Sequence, residues 1–222
     1  MENDIKIRFA GITLFAVAFA FVESSVVVYL RTIYYPEGFS FPLRLMDPKL
    51  GTIELCREVA TIVMLVSVAA LAGKSRWQRF AYFMIAFGVW DIFYYIWLKL
   101  LVNWPASLFD WDILFLLPLP WIGPIIAPAS ISVMMIVTGI LIALREETTV
   151  QFRPSKAMWY LGFTGTALIL YSFMRDTNAS MQLQLPDRFR YEFFAAGMLS
   201  YMAAVWLVFR SRTTSSSKVK DQ

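Results

Sequence analysis

Hydrophobic positions in this chain fall in six long runs, not in narrow stripes or alternating strands. A bilayer-crossing helix needs about 20 consecutive, mostly apolar residues. The pattern predicts six: Phe9–Leu30, Gly51–Ala72, Phe80–Val102, about Leu119–Leu144, Ala157–Met174 and Tyr191–Phe209. Seven prolines, among them Pro36, Pro48, Pro105 and Pro154, fall between the runs. Pro120, Pro124 and Pro128 fall inside the fourth, four residues apart. Each removes a backbone donor and frees a carbonyl one turn back. The early part of the fourth run is therefore expected to be irregular, with carbonyls open to a ligand. The rival is a kinked helix packed through Gly123, Ala127, Ala129 and Ser130.

Between the third and fourth runs, Ser107 and Asp110 have the spacing of a capping box. That predicts a short helix over about Leu108–Leu117, lying on the outer surface. The expected fold class is all-α: a polytopic integral membrane bundle of six transmembrane helices plus this short outer interfacial helix. Residues 1–210 would form one transmembrane domain. Residues 211–222, SRTTSSSKVKDQ, read as a disordered cytoplasmic tail. Ala18-Phe19-Ala20 resembles a signal-peptide cleavage site. However, the apolar run continues to Leu30, and Glu2 and Asp4 spoil a basic leader.

Composition supports the membrane reading. Of 222 residues, 59% are hydrophobic and only 16% charged. A soluble domain would be about half apolar and about a quarter charged. Lysines and arginines set the direction of insertion. With the N-terminus cytoplasmic, twelve lie on the inner side, seven on the outer, and Arg57 lies within a run. Both termini are therefore expected in the cytoplasm, and the location is expected to be the plasma membrane. The net charge of +4 is small, and no basic surface suited to nucleic acid stands out.

Six apolar runs leave the charges inside them conspicuous. A charge near a helix centre costs about 2.5–3.5 kcal/mol on insertion scales, and such residues face the bundle interior, pair, or line water. Glu54, Arg57, Glu58 and Thr61 share one helical face. Glu23 lies late in the first run and Asp91 at or past the middle of the third. In the predicted topology all of these lie towards the outer side. Trp90, Tyr94 and Tyr95 accompany Asp91, whose carboxylate the tyrosine hydroxyls can reach at i+3 and i+4. Asp112 lies in the neighbouring outer segment. The candidate ligand-binding set is thus Glu23, Glu54, Arg57, Glu58, Trp90, Asp91, Tyr94, Tyr95 and Asp112. Glu23, Glu58 and Asp91 are the candidate ligands if a metal cation is bound. Arg175 and Asp176 are placed at the rim, Glu192 at a helix start, and Trp97 and Trp104 in an interfacial aromatic belt.

The chain has no histidine and one cysteine, Cys56. That leaves haem, zinc and iron–sulfur centres without their usual ligands, so no cofactor is expected. No lysine sits in the middle of a run to hold a retinal. Walker, dinucleotide-binding and hydrolase motifs are absent from the sequence.

Three functions remain. The first is a transporter or channel-like protein for a cation, proton or small polar solute, carried by the acidic cluster around Arg57. Its partners would be the lipid bilayer and the solute. The second is an auxiliary or assembly subunit bound to another membrane protein. The third is an enzyme acting on a lipid or isoprenoid, with Asp91 as the acid and the neighbouring rings as lining. The enzyme reading is disfavoured because carboxylates alone leave its chemistry undefined.

Overall fold

The computed structural model describes residues 2–38, 47–116, 120–147, 152–175 and 188–218. Six helices carry the fold: α1 (Glu2–Tyr34), α2 (Pro48–Ala72), α3 (Arg76–Val102), α4 (Ile126–Glu146), α5 (Lys156–Met174) and α6 (Tyr191–Lys218). All six are long and apolar enough to cross a membrane. Local chemistry sets several of their ends. The Asp47 carboxylate accepts from the Lys49 and Leu50 N–H groups, and Pro48 follows at the first helical position, where its missing donor costs nothing. Ser75 and Ser155 cap α3 and α5 by accepting from Gln78 and Met158. Asn103 ends α3 in the left-handed region at φ 53°.

The expected short helix over Leu108–Leu117 is not formed. Trp111–Phe115 is instead a strand, β1, and Leu117 lies outside the described residues. β1 pairs antiparallel with β2 (Trp121–Pro124), placing Asp112 opposite Gly123 and Ile113 opposite Ile122. The capping chemistry is nonetheless present. The Asp110 carboxylate accepts from the Ala106 and Ser107 N–H groups, and Ser107 Oγ accepts from Phe109. These bonds close a tight turn, after which the aromatic and β-branched run WDILF prefers a strand. The turn also replaces a missing cap elsewhere. α4 starts without a side-chain cap. Its leading N–H groups, from Ile125 and Ile126, donate to the Asp110 and Leu108 carbonyls.

The prolines of the fourth run resolve accordingly. Pro120 precedes β2, Pro124 ends it, and Pro128 lies in the first turn of α4. The helix therefore starts at Ile126 rather than near Leu119, and no donor inside it is lost.

Packing divides into two parts. α3 is central to the first, running against α1, α2 and α4. At its crossing with α4, a Cβ on Gly88 would stand 2.6 Å from the Ser132 carbonyl oxygen. One on Gly139 would stand 2.6 Å from that of Ala81. Only glycine permits that approach. The second part is the α5–α6 pair, drawn together where Gly165 and Gly197 meet. Trp121, Phe173 and Phe189 join the two parts beside the hairpin. α1 and α2 touch only sparingly.

Candidate functional site

The hairpin end of the first part holds a cavity of about 310 Å³, walled by α1, α2, α3 and β1. All nine candidate residues line it: Glu23, Glu54, Arg57, Glu58, Trp90, Asp91, Tyr94, Tyr95 and Asp112. Helical periodicity explains the convergence. Glu54, Arg57 and Glu58 share one face of α2, Asp91, Tyr94 and Tyr95 one face of α3, and the pleat of β1 turns Asp112 inward.

Arg57 organises the α1–α2 wall. Its guanidinium grips Glu54 through two nitrogens, with Nε 2.9 Å from Oε2, and pairs with Glu23 across to α1. Thr61 Oγ1 donates to the other Glu23 oxygen at 3.3 Å. One helix turn away, Glu58 receives the Leu116 N–H, 2.9 and 3.0 Å from its two oxygens. Thus the acidic face of α2 also anchors the end of β1. Glu58 is only 6% exposed, and a buried carboxylate needs such donors.

Asp91 is held from a neighbouring helix: Ser132 Oγ on α4 donates to it at 2.7 Å. Asp112 pairs with Arg31 at 3.1 Å. Burial pushes the Asp112 carboxyl up to about 6, although the Arg31 charge and the Ile113 N–H pull it back. The Arg31 guanidinium also lies 3.8 Å from the centroid of the Trp104 ring. Trp104 is therefore tied to the site, and Trp97 donates to the Val17 carbonyl at 3.0 Å.

Arg31, Ser132 and Tyr34 also belong to the site, although no sequence motif marks them. Arg31 is one of the seven basic residues counted on the outer side, yet Glu23, Val27, Arg31 and Tyr34 follow helical spacing along one face of α1. Val27, Arg31 and Tyr34 all line the cavity. Ser132 is one of several small residues on α4 and carries no sequence signal of its own. Arg175 instead donates to the Tyr171 hydroxyl at 3.0 Å, and Glu192 pairs locally with Arg190 at 3.5 Å. Neither lines the cavity. Asp176 lies outside the described residues.

The cavity brings five carboxylates against two guanidiniums. Among the described residues, however, no three acidic, histidine or cysteine side chains are placed to hold a metal ion. Glu23, Glu58 and Asp91 line one space without forming a coordination cage. The Trp90 indole N–H is buried and has no hydrogen-bond partner among the described residues. A buried donor left unmet costs roughly 1–3 kcal/mol, which a polar guest beside it would recover.

Beyond the cavity floor, Ala16, Ala20, Leu65, Ala69, Ile85 and Ala86 pack as core. The far end is tied by Lys74 to Asp4 at 3.4 Å and by Gln78 to Glu147 at 2.7 Å. Comparison with known proteins finds no match to a family model, a curated protein or a solved structure.

Proposed function

We propose that this chain is an integral membrane protein that binds a small organic cation from the hairpin side and moves it across the bilayer. The carrying observation is the cavity itself, where carboxylates outnumber guanidiniums among aromatic rings. An amine or ammonium gains from both, through charge pairing and through cation–π contact with Trp90, Tyr94 or Tyr95. The volume of about 310 Å³ lies at the small end of the range for small-molecule sites. The absence of a three-acid cage among the described residues favours an organic cation over a hard metal ion. In this reading the packed core beneath closes the far side, so the arrangement corresponds to the hairpin-side-open state of a transport cycle. By the distribution of lysine and arginine, the hairpin end faces outward and both termini lie in the cytoplasm. The plasma membrane is the proposed location.

The test compares choline with 3,3-dimethylbutan-1-ol, in which carbon replaces the charged nitrogen. Binding to the full-length protein is followed by tryptophan fluorescence, and choline uptake is measured in proteoliposomes. Choline should bind, the neutral analogue should bind at least about tenfold more weakly, and Asp91→Asn should weaken choline alone. Equal binding of the two probes, or no response to Asp91→Asn, sinks the reading. Binding without uptake would retain the site and remove transport.

A further inference from the structure

At the end opposite the hairpin, the two packed parts of the molecule diverge. An apolar groove of about 480 Å³ opens between α3 and α4 on one side and α5 and α6 on the other. Four methionines line it: Met84, Met134, Met135 and Met158. Such side chains adapt to a flexible apolar guest. The groove follows α4 from Ile131 to Ile142, roughly 16 Å by helix rise. That matches half of the roughly 30 Å hydrocarbon core, the depth of one leaflet.

The groove is continuous with a polar chamber at the same end. Arg76, Trp77, Phe152, Pro154 and Trp159 line both spaces. The chamber adds Arg153, Ser75 and Glu146. Glu146 is already committed, since its two oxygens accept from Ser75 Oγ and from the Phe152 N–H. Arg76 and Arg153 are exposed beside it. Arg76 stands at the first position of α3, and neither α3 nor α5 has an acid in its first turn. Helix dipoles there add to the positive field rather than offset it.

A basic head chamber leading into a leaflet-deep apolar groove has the chemistry of one kind of guest. We propose that this space is a binding site for an anionic phospholipid, with its phosphate at Arg76 and Arg153 and one acyl chain along the methionine-lined groove. The lipid would fill the seam between the α1–α4 part and the α5–α6 pair. The site is separate from the cavity near the hairpin and does not depend on what that cavity binds.

The experiment is native mass spectrometry of the delipidated full-length protein, titrated with phosphatidylglycerol or phosphatidylcholine of identical acyl chains. Two arginines near an anionic headgroup should give a preference for phosphatidylglycerol on the order of tenfold. Arg76→Gln with Arg153→Gln should erase that preference. Gly162→Phe tests the groove directly. Gly162 lines it, and a Cβ there meets open space, so the ring would occupy the acyl path without a clash at the backbone. It should lower retention of both lipids while the protein stays folded. Equal retention of the two lipids by the wild type, or retention unchanged in Gly162→Phe, overturns the proposal. So does a preference that persists in a folded double arginine variant.

Discussion

Arg57→Gln isolates what joins α1 to α2. These helices share few close contacts, so the Arg57–Glu23 pair is the main polar link across their seam. Removing the guanidinium leaves Glu23 and Glu54 without their shared cation. Glu23 is buried and Arg57 only partly exposed. Breaking a buried ion pair from one side costs about 3–5 kcal/mol. Because Arg57 retains some exposure, the lower end applies, about 3 kcal/mol. For a chain of this size that lowers the melting temperature by roughly 6–12 °C. Intrinsic fluorescence from the eight tryptophans follows the melt in detergent at pH 8. The double variant Arg57→Gln, Glu23→Gln supplies the control. With the stranded charge neutralised, it should be more stable than Arg57→Gln alone, a coupling of at least 1 kcal/mol. A single-variant loss under about 1 kcal/mol, the range of solvated pairs, with no recovery in the double, would refute the argument.

Acidity and packing give two further predictions. Asp112 titrates at about 6 in the fold against its ordinary 3.8, so it takes up a proton as pH falls through 6. Its protonated form is favoured by folding, so the stability it contributes is full below about pH 4 and is lost as pH rises through 6. Cation binding runs the opposite way. Choline affinity should fall between pH 7 and 5 as the Asp112 charge disappears beside Arg31, and Asp112→Asn should flatten that step. An identical profile in the variant would assign the step to other groups. Gly139→Val should cost at least about 2 kcal/mol, because its Cβ would lie 2.6 Å from the Ala81 carbonyl oxygen. Gly11→Val, where a Cβ meets open space, should leave the melting temperature within about 2 °C.

Much of the helical framework was legible because runs such as Gly51–Ala72 are long and apolar, and α2 extends that run by only three residues. The grouping of Glu23, Glu54, Glu58 and Asp91 around one space was legible for a related reason. Alternating helix direction puts the end of α1, the start of α2 and the later half of α3 together. The hairpin was not legible. Ser107 and Asp110 make their capping bonds, but the chain beyond them finds a strand partner ten residues on, and nothing local announces that pairing. Arg31 was hidden by position, since a basic residue at the end of an apolar run already has a topological explanation. Ser132 was hidden by its size, and its bond to Asp91 depends on the close α3–α4 crossing at Gly88.

The reach of α1 sets how far the acidic cluster stands from the opposite end of the bundle. Asp4 pairs with both Arg8 and Lys74 at the far end, and in the proposed orientation this cluster would lie at a water boundary. Glu23 stands nineteen residues beyond Asp4, about 28 Å along an ideal helix. That is nearly the full thickness of a bilayer's hydrocarbon. In the orientation proposed above, carboxylates at this height would meet the opposite headgroup layer rather than the midplane. There, insertion is far cheaper than at the helix centre, and counter-ions and water arrive without crossing oil. Under the transport proposal, a solute would meet the acids at the doorstep of the membrane, and the long dry stretch beneath them would become the barrier that translocation has to open.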